Sequence, residues 1–332
     1  MLMKKLWPLS ILLFLFLTLT SYDVQAEKVS RIKWGALPAR VGSFTYVATL
    51  SRVLNDDLKG QISISPVQTG GFIENLYRLK KKTVHCALTH NQAAYAFYKK
   101  IADFKGKGSN QIRGLWGGYL APILQVAIKG RGIKNIYDLS GKPYVLSPSS
   151  SSGRMTRMFL ESLGIRPDYK LMGIASGIDA MKARTVDAFY RIGPLDSAIL
   201  EVQSTMEIDF LPVTESDLAQ FEKVWPKHAI KYTLPANTYK GQNEPILNLG
   251  YTCGDYSHAG IHEDVIYKIV MSAYQNRKKI ASAVPITVDG KWADMWNQTV
   301  KYMKIPLHKG AIKAYRELGY KIPNELIPPE AK

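Results

Sequence analysis

Short apolar runs and helix-period apolar stripes alternate along most of the chain. Arg31 to Trp34 reads as a strand ending at Gly35, and Phe44, Val47, Leu50, Leu54 and Leu58 follow at the three- and four-residue spacing of a helix. Ile62 and Ile64 alternate in a second strand, after which Ile73, Leu76 and Leu79 share one helix face. Val84 to Leu88 predicts a third strand, Thr89 to Gln92 a loop, and Tyr95 and Tyr98 a third helix. Gly114 to Ile128 is a long extended run, and from Gly141 the pattern restarts. A strand to Leu146 precedes a helix with Met155, Phe159 and Leu163, a strand at Lys170 to Gly173, a helix from Asp179 and a strand from Val186 to Tyr190. Pro235 to Glu244 is loop-like and Ile246 to Tyr251 reads as an extended return, with helices expected at Glu263 to Lys279 and Gly310 to Leu318.

This order predicts an α/β fold of two lobes, each a mostly parallel sheet flanked by helices. The expected division is residues 27–122 plus 246–332 in one lobe and 123–245 in the other, joined by a hinge of two chain crossings. Such a hinge suits capture of a small molecule by closure. In open α/β sheets ligands sit beyond the carboxyl ends of the strands, which here are the loops after Gly35, at Thr69 to Gly71 and at Thr89 to Gln92.

Composition narrows the setting. Met1 to Lys5, the apolar block Leu6 to Leu19 and the small-residue pattern Val24-Gln25-Ala26 read as a signal peptide cleaved near Ala26, which predicts an exported, periplasmic protein. Only Cys86 and Cys253 occur, so the fold is not a disulfide scaffold; both lie in strand-like runs, as buried thiols or as one bridge if those strands are neighbours. The formal charge of +17 favours anionic partners. Lys80-Lys81-Lys82, Lys99-Lys100 and Lys278-Lys279 read as solvated helix ends, and no aromatic-laced basic motif for nucleic acid is present.

The chemistry-bearing stretch is Ser147-Pro148-Ser149-Ser150-Ser151-Ser152-Gly153-Arg154, between a strand and a helix. It is either a capped polar turn or an anion cradle of hydroxyls, helix N–H groups and a guanidinium. Arg154 opposes the macrodipole of the helix it opens, which leaves a ligand's counter-charge or a solvent-facing side chain. Arg191, at a strand's carboxyl end beside Gly193, is favoured as a ligand contact over a salt bridge, and His90 is a candidate donor to a bound acid. His258 and His262 have zinc-like spacing without the glutamate or a third ligand, and Ser30-Arg31-Ile32-Lys33 matches a serine–lysine hydrolase pattern by letters alone.

Several ordered strings resemble the solute-binding proteins of TRAP transporters, in the TAXI branch. They are Ile305 to Ile312 followed by Tyr315 to Gly319, Thr69-Gly70-Gly71 with Glu74-Asn75-Leu76, Gly132-Ile133-Lys134 with Asp138 to Lys142, Asp187-Ala188-Phe189, and Pro235 to Tyr239 with Gly241-Gln242. The resemblance implies a periplasmic-binding-protein-like fold and a non-enzymatic receptor, without cofactor or metal. It implies a receptor that delivers a small organic anion, such as a dicarboxylate, 2-oxo acid or acidic amino acid, to TRAP transporter membrane subunits; a monomer is expected, although the sequence leaves the oligomeric state open. Its ligand loops map onto Gly42, Ser43 and Tyr46, onto Thr69, Gly70 and Gly71, onto His90, Asn91 and Gln92, and onto Ser150, Ser151, Ser152, Gly153 and Arg154. The chain departs from the family at Ala36 to Arg40, where glycines are usual, and at Thr89 to Gln92. An exported enzyme, or a sensory binding protein, using the same cleft are the alternatives.

Overall fold

The structure is a computed structural model and describes residues 30–39, 42–147, 150–284 and 293–332; the signal-peptide reading lies outside them. Strand β1 (Ser30–Gly35) leads to α1 (Gly42–Asp57), β2 (Ile62–Val67) to α2 (Phe72–Lys80), and β3 (Cys86–His90) to α3 (Asn91–Lys99). The long β4 (Ile112–Ile128) is followed by β5 (Pro143–Leu146), α4 (Ser151–Ser162), β6 (Asp168–Leu171), α5 (Ile174–Lys182) and β7 (Ala188–Ile192). Next come α6 (Ser197–Gln203), β8 (Ile208–Leu211), α7 (Glu215–Val224), β9 (Lys231–Leu234) and β10 (Ile246–His258). Helices α8 (Glu263–Gln275), α9 (Arg277–Ala283), α10 (Met295–Tyr302) and α11 (Lys309–Glu317) close the chain.

One sheet path runs β2-β1-β3-β10-β4-β7-β5-β6. The outer groups, β2-β1-β3 and β7-β5-β6, contain the parallel pairs and form the two lobes. Between them β10 and β4 pair antiparallel with each other and with the strands on either side. Each lobe is therefore parallel where helices cross over, and antiparallel where the chain passes between lobes. Strand β4 begins opposite β10 and ends opposite β7 and β8, and β10 begins on β9 and ends on β3 and β4, so both strands belong to both lobes. Their residues are buried nearly throughout, as strands covered on both faces must be.

Several boundaries differ from expectation: β6 begins at Asp168 and β7 at Ala188, each two residues from the expected strand start, and the helix expected from Asp179 begins at Ile174. Thr89 and His90 finish β3 while Asn91 and Gln92 open α3, so the expected loop is a direct strand-to-helix junction. Strand β10 runs on to His258, and the helix expected to reach Lys279 breaks at Asn276 into α8 and α9. The cysteines are free thiols in adjacent strands. Cys86 stands opposite Ser257 and Cys253 opposite His90, an offset of roughly 14 Å along the strands that no disulfide spans.

Candidate functional site

Tyr251, on β10, is where the helix N-termini of both lobes meet. Its ring stacks on His90 with centroids 4.1 Å apart and an interplanar angle of 24°, and packs 5.9 Å from Phe72, the first residue of α2. Its hydroxyl lies 3.3 Å from Ser151 Oγ, at the start of α4 in the other lobe. Bulges at Thr252 to Gly254 and at Asp255 to Tyr256 adjust this strand against β4. Close approach is possible because Gly118 has no side chain: a Cβ there would come within 2.9 Å of the Cys253 carbonyl oxygen.

The Cys253 thiol hydrogen-bonds both Tyr119 and Tyr251, and Tyr119 Oη lies 2.8 Å from Ser43 Oγ at the start of α1. A run of neutral hydroxyls and one thiol thus joins Ser43, Tyr119, Cys253, Tyr251 and Ser151, from α1 to α4 across both crossing strands. Burial pushes the ionisations of Tyr119, Tyr251 and Cys253 well up, so all three stay protonated.

His90 both ends β3 and caps α3: its Nδ1 accepts from Ala93 N at 3.3 Å. Burial, and then nearby His228, hold its pKa well below the usual range, so the ring is neutral and Nε2 carries the proton. That N–H is 1 % exposed by residue and has no partner among the described residues. A buried unpartnered donor is costly, and His90 Nε2 is one of several such buried atoms among the described residues, the one that faces the Tyr251 stack.

The serine run resolves into a cap and a first helical turn; Pro148 and Ser149 lie outside the described residues. Ser150 is the N-cap, its Oγ accepting from Gly153 N at 2.9 Å and lying 2.8 Å from Tyr190 Oη. Ser151, Ser152, Gly153 and Arg154 follow as the first turn, with Ser152 Oγ 3.2 Å from Ser150 Oγ. Gly153 is required: a Cβ would sit 2.2 Å from the Ser147 carbonyl oxygen.

Other expected residues are committed elsewhere. Arg191 holds Asp196 bidentately, both bonds 2.8 Å, with both groups mostly buried, so the salt bridge prevails over the ligand contact that the sequence favours. Asp196 in turn caps α6, which places the pair in the scaffold of the second lobe. Arg154 is not a free counter-charge: partly exposed, it pairs with Asp103 of the first lobe and lies over the Phe104 ring at 5.8 Å. Tyr46 points into the first lobe, its hydroxyl donating to Asp255 Oδ2 at 2.6 Å and accepting from Trp116 Nε1 at 3.1 Å. Thr69 Oγ1 donates to the Ala36 carbonyl and Gly70 N to Glu74 Oε2 at 2.7 Å, and Gly71, at φ 142°, turns the chain into α2. Asn91 accepts from Tyr256 Oη at 2.7 Å and Gln92 accepts from Thr252 Oγ1 at 3.2 Å, both binding α3 to β10. Gly42 begins α1 beside Ser43.

The structure thus brings Ser43, His90 and Ser151 together through Tyr119 and Tyr251, which sequence reasoning missed. Their signal was present, since tyrosines inside two long buried strands must place a hydroxyl somewhere polar.

A model of the NMT1-like family matches residues 40–319. No curated protein matches the sequence. Among solved structures the chain is similar to the periplasmic aliphatic sulphonate binding protein SsuA from Escherichia coli, at 13% identity over 87% of this chain and 83% of that one, TM-score 0.46. It is similar to the ligand-binding component of an ABC-type import system from Staphylococcus aureus, at 12% identity over 91% and 97%, TM-score 0.49. A TRAP periplasmic solute binding protein from Sulfitobacter sp. NAS-14.1, with bound beta-D-galacturonate, is similar at 10% identity over 87% and 94%, TM-score 0.45. With its family match running from the start of α1 to just beyond α11, the chain belongs to the NMT1-like family.

Proposed function

We propose that the protein is a periplasmic solute receptor that closes its lobes on a small organic anion and delivers it to a TRAP-type membrane transporter. The observation that carries the reading is the meeting of α2, α3 and α4 at Tyr251 around the unpartnered Nε2–H of His90. Helix N-termini supply N–H donors and positive potential, which suit carboxylate oxygens without any cation. Because Arg154 and Arg191 are paired, recognition rests on neutral donors: His90 Nε2–H, the Ser151 and Ser152 hydroxyls and the Ser43–Tyr119 pair. Membership of the NMT1-like family and the ordered TAXI strings support the transport role.

A hydrolytic reading finds less support among the described residues: Asp255, the carboxylate that acts on Tyr119 and Cys253, is occupied by Trp34 and Tyr46. Calorimetric titration of the chain from Glu27 with succinate, 2-oxoglutarate, glutamate and galacturonate, each beside its uncharged amide or sugar analogue, tests the proposal. One-to-one binding of an acid in preference to its neutral analogue, with the acid recovered unchanged, is expected. Absence of binding across the acids, or their turnover, would overturn it.

A further inference from the structure

The paired lysines that look dispersed in the sequence are gathered by the fold. Residues 77–83 end α2, residues 98–110 end α3 and lead to β4, and together they hold Lys80, Lys81, Lys82, Lys99, Lys100, Lys105 and Lys107. The two segments are fastened side by side. Rings of Tyr77, Phe97 and Phe104 pack on one another at 5.3, 5.3 and 6.3 Å, Lys80 Nζ donates to the Lys107 carbonyl at 2.8 Å, and Ser109 N donates to the Phe97 carbonyl at 3.1 Å. All seven lysines are exposed. The acid within these segments, Asp103, is taken by Arg154.

Lys82 and Lys100 adopt left-handed backbone, φ 56° and 57°, at helix ends where glycine would fit with less strain. A lysine there gains from the negative end of the helix dipole and adds charge to the platform. Ile101, 43 % exposed, stands between Lys100 and the turn that carries Lys105. The charge is carried by lysines, point charges on flexible stems, rather than by the planar guanidinium that pairs bidentately with single carboxylates. Lysines around an exposed aliphatic side chain are chemistry for a diffuse anionic surface into whose edge one apolar group dips.

We infer that this lysine platform docks the protein on anionic phospholipid, independently of which solute it carries. The test is sedimentation of the chain from Glu27, which holds every element described, with vesicles of equal phosphatidylglycerol and phosphatidylcholine and with vesicles of phosphatidylcholine alone. Binding to the anionic vesicles is expected, weakening as salt is raised from low to physiological strength. Lys99→Glu with Lys100→Glu and Lys105→Glu should lower apparent affinity at least about tenfold, at roughly 1 kcal/mol per basic residue near such a surface. Lys278→Glu with Lys279→Glu and Lys321→Glu makes the same change in net charge on other elements and should cost less than about threefold. Failure to bind anionic vesicles, equal binding to neutral ones, or equal loss in both triple variants would overturn the inference; the first result would point to an acidic protein surface instead.

Discussion

Asp255, fully buried on β10, accepts from Trp34 Nε1 at 2.9 Å and from Tyr46 Oη at 2.6 Å, with neutral donors in place of a cation. Burial pushes its pKa up to about 7 against those hydrogen bonds. The folded protein therefore keeps a proton that the unfolded chain gives up near pH 4, so this group lowers stability as pH rises from about 4 to about 7. Asp255→Asn removes the ionisation. The stability difference between variant and wild type, from urea denaturation at pH 5 and pH 8, should move in the variant's favour at pH 8 by up to a few kcal/mol, at about 1.4 kcal/mol per unit of displacement. A difference that does not change with pH would contradict the assignment. His258 and His308, whose buried rings are held down to about 4, act in the opposite direction, because each adds stability that is lost below about pH 6.5; comparison with the variant cancels them.

At this scale the sequence was least legible. Arg154, Arg191 and Tyr46 have the right chemistry for a ligand, but their partners Asp103, Asp196 and Asp255 are set by packing between segments, in two cases far apart in sequence. His90 could be singled out because a histidine at a strand's carboxyl end is well placed in this kind of sheet. Its free Nε2–H depends on the cap it gives α3, which only the junction with Asn91 reveals.

Among the elements, the crossing strands matter most. Where they pass between lobes, Pro122 of β4 faces Gly250 of β10 as a non-hydrogen-bonded pair: Gly250 N donates outward to the Ile230 carbonyl at 2.5 Å and the Pro122 carbonyl accepts outward from Gly193 N at 3.2 Å. A few residues lower, Gly117 N donates to Thr299 Oγ1 at 2.8 Å, and a Cβ at Gly117 would lie 2.4 Å from the Gln298 carbonyl oxygen of α10. Backbone on both sides leaves nothing to rotate away, so Gly117→Ala should cost about 1–3 kcal/mol in chemical denaturation. Stability equal to wild type would show that α10 shifts freely on β4.

Strands and helices with clear two- or 3.6-residue periodicity are legible in the sequence to within a few residues, including both crossing strands and the β5-α4-β6 unit. Residues 194–234, which hold α6, β8, α7 and β9, are not legible as elements in the sequence. The β3 to α3 junction reads as a loop in the sequence because Thr89, His90, Asn91 and Gln92 are polar, yet all four are buried. Their polar atoms are largely met inside the fold, by Phe72, Ala93, Tyr256 and Thr252.

For the whole molecule, the two-lobed plan was legible because the alternation of short strands and helices stops at one long extended run and then begins again. What the pattern could not give is the state of the cleft. Arg154 of one lobe pairs with Asp103 of the other, and Ser151 reaches Tyr251, so the lobes are drawn together with the helix N-termini facing the crossing strands. Closure of this kind holds a solute only if groups inside the cleft, rather than the pair at its edge, supply the affinity. An exposed ion pair contributes about 1 kcal/mol or less, whereas a buried hydrogen bond to a charged group is worth about 1.5–3 kcal/mol. The decisive measurement is calorimetric titration of the tightest-binding acid against wild type, His90→Phe and Arg154→Gln side by side. Capture by neutral donors predicts that His90→Phe, which keeps a ring on Tyr251 but removes Nε2–H together with the α3 cap, weakens binding about tenfold or more while thermal unfolding shows the variant folded, and that Arg154→Gln changes binding by less than about fivefold. Unchanged affinity in His90→Phe, with loss of binding in Arg154→Gln, would contradict it and return the anion to the arginine.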